Sequence, residues 1–139
     1  MPNAAILAAV DDSGYQLDQS LAGLSGADLD AKALPSMMSP REHMEHLYEV
    51  YHACIVMSQG GSHEWGSYTL PDDVKADIAN RWRAKRDEAV AMIKGSDDPK
   101  VEEMACGFIL QHDGYHVGQL CAHRIALDPG FNPYSIYRH

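Results

Sequence analysis

Two histidines one helical turn apart, His112 and His116, are the residues whose spacing most directly suggests chemistry. They lie in the stretch ILQHDGYHVGQLCAHR, which we expect to form the middle of a long helix. An i, i+4 pair projects from one helix face with an axial separation of about 6 Å. Two imidazoles placed in this way can bind one metal ion. His123 lies about 10 Å along the axis from His116, so a third ligand has to come from another element.

The clearest helix start of the chain lies at Ser39, and the helix that follows carries two candidates for the third ligand. Ser39 can cap the helix, Pro40 suits its first position, and Glu42 can reach back to the cap amide. We therefore predict a helix that runs to about residue 59. By helical angle, His43 falls at the centre of its apolar stripe and His46 at the edge, which leaves both open as ligands. Three polar residues of this helix are expected to face solvent: Glu45, Glu49 and His52.

Hydrophobic periodicity predicts three further helices, over residues 3–24, 72–94 and 99–127, and a short helical turn over residues 25–34. No segment alternates at period two, so no sheet is expected. The predicted fold is all-α, a four-helix bundle that forms a single domain over residues 1–139. Sites in such bundles are built in the core by side chains from facing helices. The loop over residues 60–70 is long for a bundle, which is typical of functional or mobile loops.

Composition restricts the classes of function that this chain can have. The formal net charge of −9, without a cluster of Lys or Arg, argues against binding to nucleic acid or to an anionic membrane. No apolar run approaches the length of a membrane span, and the apolar N-terminal stretch lacks the basic region of a signal peptide. An odd count of three cysteines without a metal-binding spacing indicates buried thiols in a reducing cytoplasm.

Two segments together resemble the DinB-like (YfiT-like) superfamily of metalloproteins, a bacterial family related to stress. The predicted second helix contains SPREHMEHL, and the predicted fourth contains QHDGYHVGQ, in the order found in that family. The resemblance implies a four-helix bundle that is commonly dimeric. It also implies a divalent metal held by one histidine of the second helix and two of the fourth. By position these are His46, His112 and His116, so the resemblance favours His46 over His43.

The expected metal is zinc or nickel. Three neutral imidazoles would leave such an ion with its full charge and with an open coordination position. The resemblance implies a metal-dependent hydrolase, or a transferase that uses a low-molecular-weight thiol, acting on a small-molecule substrate. The sequence lacks the HExxH pattern of many zinc hydrolases, and Asp113 and Tyr115 stand between the paired histidines. Asp113 is a candidate to orient a ligand imidazole. The alternative function is a non-catalytic bundle that binds a metal or a small ligand.

Residues outside the three-histidine set are given structural roles. The remaining histidines are expected to be buried or solvated without binding metal: His43, His52, His63, His123 and His139. The cysteines are expected to be non-catalytic: Cys54, Cys106 and Cys121. Several aromatic residues exceed what a small bundle can bury, which together with the family habit predicts a homodimer: Trp65, Tyr68, Tyr134 and Tyr137.

Overall fold

The computed structural model describes residues 2–138, and within this range every regular element is helical. His139 lies outside the described residues. The α-helices are α1 (Ala4–Leu21), α2 (Pro40–Ser58), α3 (Asp72–Ala76), α4 (Ile78–Lys94), α5 (Pro99–Met104) and α6 (His112–Leu127). A π-helical segment (Ala105–Gln111) joins α5 to α6, and 3-10 turns lie at Gly26–Asp30 and Pro133–Ile136. The prediction of an all-helical fold is confirmed.

The predicted start of α2 is confirmed in atomic detail. The Ser39 hydroxyl accepts the backbone N–H of Glu42 at 3.2 Å, and the Ser39 N–H donates to the Glu42 carboxylate at 3.3 Å. Pro40 occupies the first helical position, where its missing N–H costs nothing. This capping box fixes the register of α2, and therefore the direction in which His43 and His46 project.

Two predicted elements differ from the structure. The helix predicted over residues 72–94 is divided at Asp77, where φ is −127° and ψ is 37°. The Asp77 carboxylate accepts the side-chain N–H of Asn80 at 2.8 Å, an example of how aspartate competes with helical hydrogen bonding. The turn predicted over residues 25–34 is a 3-10 helix that ends at Asp30, where the chain becomes extended at Ala31.

The predicted fourth helix is continuous, but it changes from α-helical to π-helical hydrogen bonding after α5 and returns to α-helical hydrogen bonding at α6. Asp98 caps α5 by accepting the N–H of Lys100 at 2.9 Å. The backbone stays right-handed helical through both ends of the π-helical segment. Such segments are rare and occur frequently at functional sites. Here α-helical winding resumes at His112, so the π-helical segment sets the rotation at which the paired histidines project.

The core lies between two pairs of helices. Helix α2 packs along α4, and α1 packs along α6 and the π-helical segment. The C-terminal 3-10 turn packs on α1 with Ile136 buried, and Arg138 forms an ion pair with Asp12, so the tail folds back on the bundle. The fully buried apolar side chains come from every long helix: Val10, Leu17, Leu47, Tyr51, Ala53, Cys54, Ala89, Ile93, Ala105, Ile109 and Leu120.

Candidate metal centre

Helices α2 and α6 bring together three histidines in the space between them. His46, His112 and His116 each offer a ring nitrogen, and these nitrogens all lie within 4.8 Å of one another. Nε2 of His112 and Nε2 of His116 are 3.3 Å apart. Two nitrogens bound to one tetrahedral zinc ion at about 2.0–2.1 Å are separated by about 3.4 Å. The donor set and its spacing therefore fit a divalent transition metal.

The three rings differ in burial, which gives the group an inner and an outer side. His116 is fully buried, whereas His46 and His112 are half-buried. The ring of exposed Tyr115 contacts both paired histidines, with centroid distances of 6.4 Å to His112 and 5.4 Å to His116. Gln119 donates its side-chain N–H to the Tyr115 hydroxyl at 2.8 Å. Access to the group is therefore from the side of His46, His112 and Tyr115.

His43 lies behind this group and contacts the opposite nitrogen of one of its members. Its Nδ1 is 2.6 Å from Nδ1 of His116, and the two rings meet edge to face with centroids 4.9 Å apart. His43 is fully buried. The structure thus separates the two candidates of α2, because His46 joins the paired histidines while His43 touches the far side of His116.

Burial holds the histidines of this region in their neutral form. Removal from water lowers the pKa of His112 to about 4 and the pKa of His116 to about 2, and the neighbouring imidazoles add to both shifts. The pKa of His46 is lowered by the same loss of solvation. A neutral imidazole has a free lone pair, which is the form that binds metal.

Asp113 does not orient a ligand imidazole, contrary to the possibility drawn from the sequence. Its carboxylate accepts the Tyr51 hydroxyl at 2.5 Å, the Ser13 hydroxyl at 2.8 Å and the Arg86 guanidinium at 2.9 and 3.1 Å. Arg86 also donates to the Val10 carbonyl at 2.7 Å. Since Asp113 lies in the first turn of α6, this buried network fixes α6 against α1, α2 and α4.

Arg86 is a residue of this network that the sequence interpretation missed. It is 3% exposed and follows the inward spacing of Trp82, Ala89 and Ile93 along α4. A charged residue in an apolar stripe is itself a signal that a buried partner exists. Gly14 makes room for it, since a Cβ atom there would lie 2.5 Å from Nη1 of Arg86.

The loop over residues 60–70 folds onto the bundle beside the histidine group. Nε2 of His63 lies 2.9 Å from a carboxylate oxygen of Glu49. Glu49 is half-buried, whereas the sequence analysis predicts that it faces solvent. Trp65 stacks on Phe108 of the π-helical segment with centroids 6.1 Å apart. Glu49 lies nearly one turn beyond His46 on α2, and its charge partly opposes the lowering of the His46 pKa, so the loop is anchored to α2 close to His46.

The other histidines have partners outside the group. His52 is half-buried and stacks on Tyr68 with centroids 5.0 Å apart. Nε2 of His123 lies 2.8 Å from the Ala31 carbonyl oxygen, and both residues line a cavity of about 210 Å³ near the end of α6. No member of the three-histidine group lines that cavity.

Two of the three cysteines have raised thiol pKa values, which agrees with the expectation that the thiols are unreactive. Burial raises the pKa of the Cys54 thiol to about 11 and also raises the pKa of the Cys121 thiol. Neither thiol is therefore ionised near neutral pH. Cys106 is half-buried on the π-helical segment.

Comparison with known proteins adds no relative. The chain matches no protein-family model, no curated protein and no solved structure. Among the described residues, no helix has the length and apolar character needed to cross a membrane.

Proposed function

We propose that the protein binds one divalent transition metal ion through His46, His112 and His116. The observation that carries this proposal is the convergence of three ring nitrogens within 4.8 Å, two of them at the spacing of a tetrahedral edge. All three pKa values are lowered, so no proton competes with the ion near neutral pH. Imidazole ligands suit zinc and nickel equally, and both remain candidates.

We further propose that the protein is a DinB-like enzyme of small-molecule substrates, either a hydrolase or a transferase that uses a low-molecular-weight thiol. Bound with three neutral ligands, the metal would supply a Lewis acid with an open position. The chain supports this chemistry through the half-buried His46 and His112, which leave one side of the group accessible. Tyr115, with its hydroxyl held by Gln119, lies where it can contact a substrate.

The competing proposal is a non-catalytic bundle that binds a metal or a small ligand. It is favoured by the engagement of the nearest carboxylates. Asp113 is bonded to Arg86, Ser13 and Tyr51, and Glu49 is paired with His63. A general base has to be within reach of the proton that it removes. Both carboxylates are instead hydrogen-bonded to other side chains of the protein.

The homodimer and the cytoplasmic location stay predictions. Exposed apolar and aromatic side chains support the dimer: Leu34, Trp65, Tyr115, Ile125, Leu127, Tyr134 and Tyr137. Tyr68, also expected to be exposed, is half-buried against His52. A symmetric dimer would cover part of this surface.

Two measurements test the proposed function in order. Calorimetric titration of the metal-free protein with zinc and then nickel should show one ion per chain, and the absence of binding would refute the metal site. Ester and amide hydrolysis and thiol conjugation should then be assayed with the loaded protein and with His112→Ala. Turnover that disappears in the variant supports the enzyme, whereas metal binding without turnover supports the non-catalytic bundle.

A further inference from the structure

We propose that His43 is a positioning residue, which accepts the Nδ1–H of His116 and thereby directs the Nε2 lone pair of His116 at the metal. The inference rests on the proposed metal site and adds to it a residue that binds no metal.

The two nitrogens of His116 have different neighbours. Nε2 is 3.3 Å from Nε2 of His112, the other histidine of the pair. Nδ1 is 2.6 Å from Nδ1 of His43. Two imidazole nitrogens this close are hydrogen-bonded, so one of them carries the proton and the other accepts it. Because the ion needs the lone pair of Nε2, the proton of a metal-bound His116 belongs on Nδ1.

In the metal-free protein the same two contacts are also satisfied by the opposite arrangement of protons. With a proton on its Nε2, His116 can donate to Nε2 of His112 at 3.3 Å, while Nδ1 of His43 donates to Nδ1 of His116. If His116 were to hold the ion through Nε2, the proton of the His43–His116 bond would have to lie on His116, with Nδ1 of His43 as its acceptor. Neutral His43 would then carry its own proton on Nε2, a buried atom that has no hydrogen-bond partner among the described residues.

Burial makes this bond the determinant of the tautomer. His43 and His116 are both fully buried, so bulk solvent does not reach the bond between them. Without an acceptor at position 43, the Nδ1–H of a metal-bound His116 would be a buried donor without a partner. Partners of the second nitrogen of metal-binding histidines typically change metal affinity by about 10–100-fold when they are removed.

The chain offers a matched set of variants. His43→Leu has a similar size and no acceptor, whereas His43→Asn places an amide oxygen near the position of Nδ1. His52→Leu is the control, since His52 is on the same helix, is half-buried, and contacts Tyr68 and His63, which lie outside the group. Zinc affinity is measured by chelator competition, and folding of each variant is checked by circular dichroism.

We expect His43→Leu to weaken zinc binding by about 10–100-fold, with recovery in His43→Asn and no change in His52→Leu. Nitrogen-15 spectra of the zinc-loaded wild type should show a proton on Nδ1 of His116 and a scalar coupling from this nitrogen to Nδ1 of His43. Zinc binding by a folded His43→Leu variant as tight as that of the wild type would overturn the inference. So would a zinc-loaded His116 protonated on Nε2, even if the leucine variant failed to fold. A wild type that binds no zinc would instead refute the proposed function.

Discussion

Replacing Asp113 by leucine should destabilise the protein strongly, although Asp113 binds neither metal nor imidazole. Asp113 is 0% exposed and Arg86 is 3% exposed, so the substitution leaves a buried guanidinium without its counter-charge. Four hydrogen bonds to the carboxylate are lost at the same time, from Ser13, from Tyr51 and two from Arg86. Removal of one partner of a buried ion pair typically costs about 3–5 kcal/mol.

That loss is a large fraction of the unfolding free energy of about 5–15 kcal/mol that is typical of a domain. Urea denaturation of the metal-free protein near neutral pH measures it directly. The double variant Arg86→Met, Asp113→Leu removes both charges and should recover most of the stability, since apolar pairs replace buried ion pairs at little cost. Asp73→Asn is the control, because its partner Arg81 and Asp73 itself are exposed and such pairs contribute little.

The reasoning would be refuted if Asp113→Leu unfolded at the urea concentration of the wild type. It would also be refuted if the double variant lost the sum of the two single losses. Additive losses would mean that Arg86 and Asp113 stabilise the protein independently of one another.

Buried histidines, the close approach of Arg86 to Gly14 and the exposed apolar surface each lead to a further prediction. In the metal-free protein burial lowers the pKa of His43 and His112 to about 4, against 6.5 without burial. The unfolded chain therefore binds more protons between these values, and stability should fall as pH falls, by about 1.4 kcal/mol per pH unit for each histidine. Urea midpoints at about pH 7 and about pH 5 measure this, and equal midpoints would contradict it. Gly14→Ala should lower the melting temperature, because the added Cβ would lie 2.5 Å from Nη1 of Arg86, and an unchanged temperature would show that the guanidinium moves freely. Light scattering at micromolar concentration should give the mass of a dimer, and a monomer mass would remove that proposal.

The fold could be predicted where its signals are local. Ser39, Pro40 and Glu42 define the start of α2 by contacts within four residues. The break at Asp77 and the π-helical segment were not predicted. An aspartate inside a helical pattern is common, and the extra residue of a π turn is decided by packing against other helices.

The candidate site was only partly predictable for a related reason. The i, i+4 spacing of His112 and His116 is a local property of one helix. The choice between His43 and His46 depends on the relative rotation of two helices, which no single helical wheel contains. Helical angle correctly places His43 deeper in the core than His46. The deeper residue, however, contacts the far side of His116. His46, at the edge of the apolar stripe, is the residue that lies with His112 and His116. The Glu49–His63 pair depends on the path of a loop and has no local signal.

Three histidines from two helices are proposed to bind one metal ion. Elemental analysis of purified wild type and of His46→Ala, His112→Ala and His116→Ala tests it most directly, with His52→Ala as the matched control. We expect one zinc or nickel ion per chain in the wild type and in the control, and loss of the ion in each of the three variants. Equal metal content in all five proteins, with circular dichroism confirming their folds, would contradict it.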